Sequence, residues 1–310
     1  MKHRPAMFAT LLLTLSAVFG PLLASHAGAA PLRERIAEHR TKQGVENQES
    51  WLQAAPGSEL KRNVAYGPDA AQQMDVYVPA KAKGAPVLLM VHGGAWRIGD
   101  KANAESIENK VKRWLPKAVI VVSINYRMLP ALDPLRQADD VALALAKVQQ
   151  LAQSWGGDPA QVVLMGHSAG AHLVSLLAAA PQIASKQGAQ PWLGTVSLDT
   201  AAMDVPVVMQ RRHPRLYDEA FGSDPQYWHA TSPLQRLEKA GQPLLAVCSS
   251  QRQDSCAQAN SFVAKASKLG MRSSSLPQDL NHMEINRNLG LPGAYTDAVE
   301  AFLRSLGLPV

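Results

Sequence analysis

From Arg62 onward, short apolar runs alternate with longer stretches in which apolar residues recur every three or four positions. The short runs predict strands at 63–66, 74–78, 87–91, 119–124, 162–165, 195–198, 244–247 and 273–276. Several are continuous and rich in Val, Leu and Ile, the composition of strands buried on both faces. The longer stretches predict helices. One covers 138–154, with Val141, Leu143, Leu145, Val148 and Leu151 as its apolar positions. Another covers 170–180 and stops at Pro181, which cannot continue a helix. A third, 257–269, ends at Gly270, and a fourth covers 294–306.

Strands alternating with helices of this length imply βαβ units and a mostly parallel sheet. The first two strands are joined too briefly for a crossover helix and should pair antiparallel. The pattern therefore predicts an α/β architecture: an eight-stranded, mostly parallel sheet with helices on both faces, over residues 61–310. Residues 199–237 break the rhythm and hold Pro206, Pro214, Pro225 and Pro233. They read as an irregular insertion. Ligands bind at the carboxyl ends of strands in such sheets, so this insertion is placed to roof a site.

The first sixty residues do not share the pattern. Lys2, His3 and Arg4 precede an apolar run over 6–23, followed by the small-residue sequence Ser25-His26-Ala27-Gly28-Ala29-Ala30. Basic, apolar, then small is the order of a secretory signal peptide, so 1–30 is expected to be removed after Ala27 or by Ala30. No later segment reaches the roughly 18 apolar residues of a membrane helix. The expected location is secreted or periplasmic, with no stable membrane insertion after cleavage. Residues 31–60 are polar and charged.

Export changes how charge and cysteine are read. Losing Lys2 and Arg4 lowers the formal net charge from +6 by two, and the remaining basic residues are scattered. Nucleic-acid binding would call for a basic stripe or a recognisable module, and neither is present. Cys248 and Cys256 are the two cysteines. In an oxidising compartment, a close pair in one loop reads as a disulfide.

Two motifs carry chemistry. Gly166-His167-Ser168-Ala169-Gly170 has the form Gly-x-Ser-x-Gly. Chance produces that pentapeptide in roughly one chain in ten of this length, so its setting decides its meaning. It directly follows the predicted strand 162–165 and directly opens the predicted helix at 170, the strand–turn–helix context of a nucleophile elbow. The turn presents the Ser168 hydroxyl outward, toward the amino end of a helix where developing negative charge is favoured. The second motif, His92-Gly93-Gly94-Ala95-Trp96, follows the strand at 87–91. Glycines there let backbone amides face a ligand, as an oxyanion hole requires. Gly94, Ala95 and Ala169 are the expected donors, with Gly93 shaping the turn.

These motifs, with Asn125-Tyr126-Arg127 after the fourth strand and Gly156-Gly157-Asp158-Pro159, occur in an order that resembles one group of α/β hydrolases. The group comprises esterases related to hormone-sensitive lipase, bacterial feruloyl-esterase-like domains and kynurenine formamidases. The resemblance covers roughly 60–310. It implies an α/β-hydrolase fold, a serine nucleophile and a small-molecule ester substrate. Ala95-Trp96 leans toward the feruloyl-esterase-like and formamidase branch. No metal or organic cofactor is expected, because every required group is supplied by the chain.

On this fold the triad runs Ser, acid, His in chain order. His282 lies after the last predicted strand and is the expected base. The acid is expected after the strand at 244–247, where Asp254 is the carboxylate between Cys248 and Cys256. A disulfide would hold it in place. Asp199, Asp204 and Asp279 are rivals. Trp96 and Trp228 are expected to wall the substrate pocket. A carboxylesterase follows, with an arylformamidase-type amide hydrolase as the alternative and a non-catalytic binding protein as the third reading.

Overall fold

The computed structural model describes residues 48–310. The expected leader at 1–30 and residues 31–47 of the polar segment lie outside the described residues. Eight strands form one sheet: β1 (Glu59–Ala65), β2 (Gln73–Val78), β3 (Ala85–Val91), β4 (Ile120–Ile124), β5 (Gly157–His167), β6 (Gly194–Leu198), β7 (Leu244–Ser249) and β8 (Ser273–Gln278). Their spatial order is β1-β2-β4-β3-β5-β6-β7-β8. β2 is antiparallel to both β1 and β4, and the remaining pairs are parallel. β1 starts at Glu59, inside the stretch read as polar. It is an edge strand with no fully buried residue, so its sequence lacks an apolar run.

The sheet is covered on both faces. Along β3, Val87, Leu89 and Val91 face one core while Leu88 and Met90 face the other, all at 1% exposure or less. Full burial of such a side chain is worth roughly 1.5–3 kcal/mol, so a strand apolar at every position is stable only between two helical layers. The larger core receives α2 (Pro134–Leu151), α3 (Ala169–Ala179) and α9 (Ser255–Lys268); the other receives α1 (Ala104–Trp114), α10 (His282–Arg287) and α11 (Ala294–Ser305). A short α4 (Gln182–Lys186) follows α3.

Three differences from the sequence pattern have physical causes. α1 carries no continuous apolar rhythm because its apolar positions, Ile107, Val111 and Trp114, are diluted by charged residues. α2 begins earlier than its apolar spacing suggests. The Asp133 side chain accepts hydrogen bonds from Leu135 N and Arg136 N, and Pro134 fills the first turn. The insertion between β6 and β7 is also more regular than expected. It contains α5 (Val205–Met209), α6 (Arg215–Phe221), α7 (Pro225–Thr231) and α8 (Pro233–Arg236). Pro206, Pro225 and Pro233 stand in first turns and Pro214 caps α6, so residues that read as breakers are helix starters.

α3 crosses tightly over the end of β3. A methyl group on Gly170 would collide with the carbonyl oxygens of Val91 and His92. Gly170→Ala should therefore cost about 1–3 kcal/mol and lower the thermal midpoint by several degrees, read by circular dichroism. An unchanged midpoint would mean that α3 can move off the strand without loss.

Candidate active site

Ser168 sits between β5 and α3 with φ 56° and ψ −116°. That conformation is unusual for a residue with a Cβ, and it is held from two sides. The Ser168 amide donates to Leu198 O on β6 (3.0 Å), and a side chain on Gly166 would strike the Gly170 backbone. The elbow is thus fixed by close packing of backbone against backbone.

His282 is the first residue of α10. Asn281 accepts from Met283 N and Glu284 N, and the Glu284 side chain accepts from Asn281 N, which closes a capping box at the helix start. The far end is seated by buried Lys110, whose Nζ donates to Asn286 O (2.7 Å) and Oδ1 (2.9 Å). His282 Nε2 then lies 2.9 Å from Ser168 Oγ, which donates to it. On the other side, His282 Nδ1 donates to Asp199 Oδ2 at 2.6 Å.

The acid opposite His282 is therefore Asp199, and Asp254 is corrected from that role. Asp254 lies at the surface, its side chain 55% exposed, and pairs with Arg211 at 3.3 Å. The loop after β7 turns Arg252 toward His282 instead. Asp199 stands at the carboxyl end of β6, beside the nucleophile's strand, with φ 55°. Asp204 accepts from Gln235 Nε2 and Asp279 from Gln251 Nε2, neither near His282 by any contact.

The Asp199 carboxylate is buried and caged. Oδ1 accepts from Ser249 N (2.7 Å) and from Ser255 Oγ, while Oδ2 accepts from Arg252 Nη1 (2.6 Å) as well as His282. Burial pushes its pKa upward. The His282 bond, the Arg252 cation and the Ser255 and Ser249 bonds outweigh that and hold it below the usual carboxylate range. Arg252 Nη1 also approaches His282 Nδ1 at 3.0 Å. Both atoms are donors once Nδ1 carries its proton, so they share the acid's oxygen rather than bonding each other. Cys248 and Cys256 are bridged, with Cα atoms 5.0 Å apart. The ring they close contains Ser249, Arg252 and Ser255, so the bridge fastens the cage around Asp199, and not Asp254 as expected.

The turn after β3 faces the nucleophile. A Cβ on Gly93 would lie 2.9 Å from Ser168 Cβ, so this backbone can approach only as glycine. Gly94, Ala95 and Trp96 all have positive φ (120°, 52° and 58°). The amides of Gly94, Ala95 and Ala169 donate to no described residue. Free donors beside a nucleophile are what an oxyanion hole consists of. Asn125 braces the segment through Lys101 N (2.6 Å) and Asp100 Oδ2 (3.0 Å), and Tyr126 Oη donates to His92 O (3.1 Å).

Trp96 is 3% exposed and packs edge-on against His172 and Phe221. Its Nε1 donates to His172 Nδ1 (3.2 Å), and His172 Nε2 donates onward to Thr231 O (2.7 Å). Trp96 does border a small cavity of about 180 Å3 that also includes Ser168, Asp199 and His282. Trp228 does not wall the site as expected. Its Nε1 is committed to Phe221 O and Gly222 O, and it borders neither cavity at Ser168. The larger cavity, about 550 Å3, has Gly93, Gly94, Ser168 and His282 in its floor and Ile98, Leu216 and Met283 around it. Those three are among the few large apolar side chains exposed in the described residues. No group of three His, Cys, Asp or Glu among the described residues is arranged to hold a metal, and no described helix is long and apolar enough to cross a membrane.

Three buried histidines, His92, His167 and His172, bear on pH, each depressed chiefly by burial. Burial, then the neighbouring His282, depresses His167 to about 3; burial depresses His172 to about 4. All three favour the neutral form in the fold, whereas the unfolded chain binds their protons near pH 6.5. Their contribution is therefore present above pH 6.5 and lost as pH falls toward 4. Urea midpoints should decline across that window, and a flat profile would contradict neutral burial. In hydrolytic assays, Asp199→Asn should reduce kcat on the order of 10^4-fold. Asp254→Asn should cost at least a hundredfold less, because an exposed ion pair contributes little. The reverse ranking would restore Asp254 as the acid.

The fold is shared with known structures. Esterase B from Lactobacillus rhamnosis superposes with a TM-score of 0.66 at 16% identity, over 89% of this chain and 94% of that one. Thermogutta terrifontis esterase 2 gives 0.66 at 20%, over 81% and 96%. Both likenesses concern the fold. Among curated sequences, a probable isoprenylcysteine alpha-carbonyl methylesterase of Oryza sativa subsp. japonica is 35% identical over 118 residues, 38% of this chain and 28% of that protein. Esterase LipQ of Mycobacterium tuberculosis is 29% identical over 201 residues, 60% and 47% respectively. The chain spans no more than half the length of these relatives. The family model described as BD-FAE matches residues 74–253, a span from within β2 past Asp199 to Gln253 that is more than half the chain. With its eight-stranded sheet and serine elbow, the chain belongs to the BD-FAE family of α/β hydrolases.

Proposed function

We propose that the protein is a secreted serine hydrolase that cleaves carboxylic esters through an acyl-enzyme on Ser168. The observation that carries this reading is the continuous relay from Ser168 Oγ to His282 Nε2 (2.9 Å) and from His282 Nδ1 to Asp199 Oδ2 (2.6 Å), beside three uncommitted amides. Ser168 Oγ attacks the ester carbonyl carbon while its proton passes to His282 Nε2. The carbonyl oxygen becomes an oxyanion and takes hydrogen bonds from the amides of Gly94, Ala95 and Ala169, each such donor typically contributing about 3–4 kcal/mol. Asp199, ionised in its cage, steadies the imidazolium.

Collapse of the tetrahedral intermediate breaks the bond to the alcohol oxygen, which leaves with the proton from His282. Water then attacks the acyl-enzyme, gives a proton to His282, and releases the acid as Ser168 recovers its own. The cavity of about 550 Å3 and its apolar rim of Ile98, Leu216 and Met283 suit an apolar group on one side of the ester. Export rests on the leader-like residues 1–30 and is tested by the N-terminus of the mature protein.

Mature protein should hydrolyse a series of p-nitrophenyl esters, with a chain-length optimum set by that cavity. Ser168→Ala should lose activity by 10^4-fold or more while remaining folded. Turnover of formylated aryl amides with none of the esters would overturn the ester reading in favour of an amide hydrolase.

A further inference from the structure

We propose that a basin beside the triad, framed by Arg211, Arg212, His213 and Arg252, is a subsite for an anionic group, and that the preferred substrates are esters that also carry a carboxylate. The proposal rests on the ester-hydrolase reading of Ser168. The basin holds about 280 Å3. Ala201, Pro214, Tyr217 and Arg252 belong both to its wall and to the wall of the small cavity that contains Ser168 and His282. The basin therefore adjoins the cavity at Ser168, across these four residues. Its volume suits part of a ligand, a short arm ending in a compact charged group, rather than a whole one.

Charge sets what that arm carries. Three guanidiniums border the basin against one carboxylate, Asp254. Arg252 is matched by Asp199 behind it, and His213 Nε2 lies 3.0 Å from Asp218 Oδ1. Arg211 holds Asp254 in a single exposed contact at 3.3 Å, with the two side chains 62% and 55% exposed. Arg212 is exposed and makes no hydrogen bond or ion pair with any described residue. Each guanidinium has five donors, so Arg211 and Arg252 retain unused N–H groups beside the uncommitted Arg212. A planar carboxylate matches this fork geometry and relieves the repulsion among the cations. The larger cavity at the nucleophile is bordered instead by the apolar side chains Ile98, Leu216 and Met283. Apolar and charged surroundings are thereby both within reach of an ester at Ser168.

Two matched pairs test the proposal. The p-nitrophenyl half-ester of adipate is compared with the p-nitrophenyl ester of adipamic acid, and para-carboxyphenyl butyrate with para-carbamoylphenyl butyrate. In at least one pair the parent enzyme should favour the anion in kcat/KM by roughly tenfold, chiefly through KM, and less so as ionic strength rises. A preference in the first pair places the anion on the acyl side, and in the second on the alcohol side. Arg212→Gln should bring that ratio toward one, and Arg212→Lys should restore part of it. Asp254→Asn, which frees Arg211, should raise it.

A parent ratio at or below one in both pairs overturns the subsite while leaving the esterase intact. So does a ratio unmoved by Arg212→Gln. Failure to cleave any of the four esters would defeat the esterase reading itself. Equilibrium dialysis of the monoanilide of adipate then examines the basin directly. Binding weakened by Arg212→Gln supports the subsite, and absence of binding overturns it.

Discussion

A buried carboxylate has to be answered by donors, and the site is organised around that requirement at Asp199. Removing a carboxylate from water without compensation is prohibitively unfavourable, and stripping one partner from a compensated buried ion pair costs roughly 3–5 kcal/mol. Here the compensation comes from a backbone amide, a hydroxyl, a guanidinium and the imidazole. Three of those four belong to the ring closed by Cys248 and Cys256. The cage explains why a disulfide lies in this loop, why Arg252 points inward, and why His282 is held in one tautomer.

The nucleophile and the acid owe their separation to the sheet itself. β5 and β6 are adjacent and in register, with His167 opposite Leu198, so Ser168 and Asp199 are each the first residue beyond the paired ends. Neighbouring strands are spaced about 4.8 Å apart, and α10 supplies the imidazole that spans the remainder. Both residues adopt left-handed backbone conformations at the same edge. Strain is thereby concentrated where the parallel ladder ends and helix packing takes over.

Features written in consecutive residues were legible in the sequence. The elbow needs only a buried strand, Gly166, Ser168, Gly170 and a helix, and the glycine turn at 93–94 needs only its neighbours. The alternation of Val87 to Val91 between two cores was visible as an unbroken apolar run. The acid was not legible, because its identity depends on which of several loop carboxylates meets an imidazole that comes from 83 residues later. Asp254 had the better position in chain order. Asp199 had the better signal in physics: a charge placed directly at the end of a fully buried strand, with no exposed residue beside it to solvate it. Trp228 and the helices of the insertion show a second limit. A proline can start a helix as readily as stop one, and an indole next to a site can be spent on a carbonyl.

The relay from Trp96 through His172 to Thr231 joins the oxyanion turn, the nucleophile helix and the far end of the insertion in one buried chain of hydrogen bonds. The insertion is thus tied at both ends, at Asp199 and at Thr231, while its middle, from 210 to 217, meets the ligand cavities with largely exposed side chains. The scaffold is therefore modular. Substitutions in the exposed middle can alter what the protein accepts while the anchored ends hold the reaction geometry.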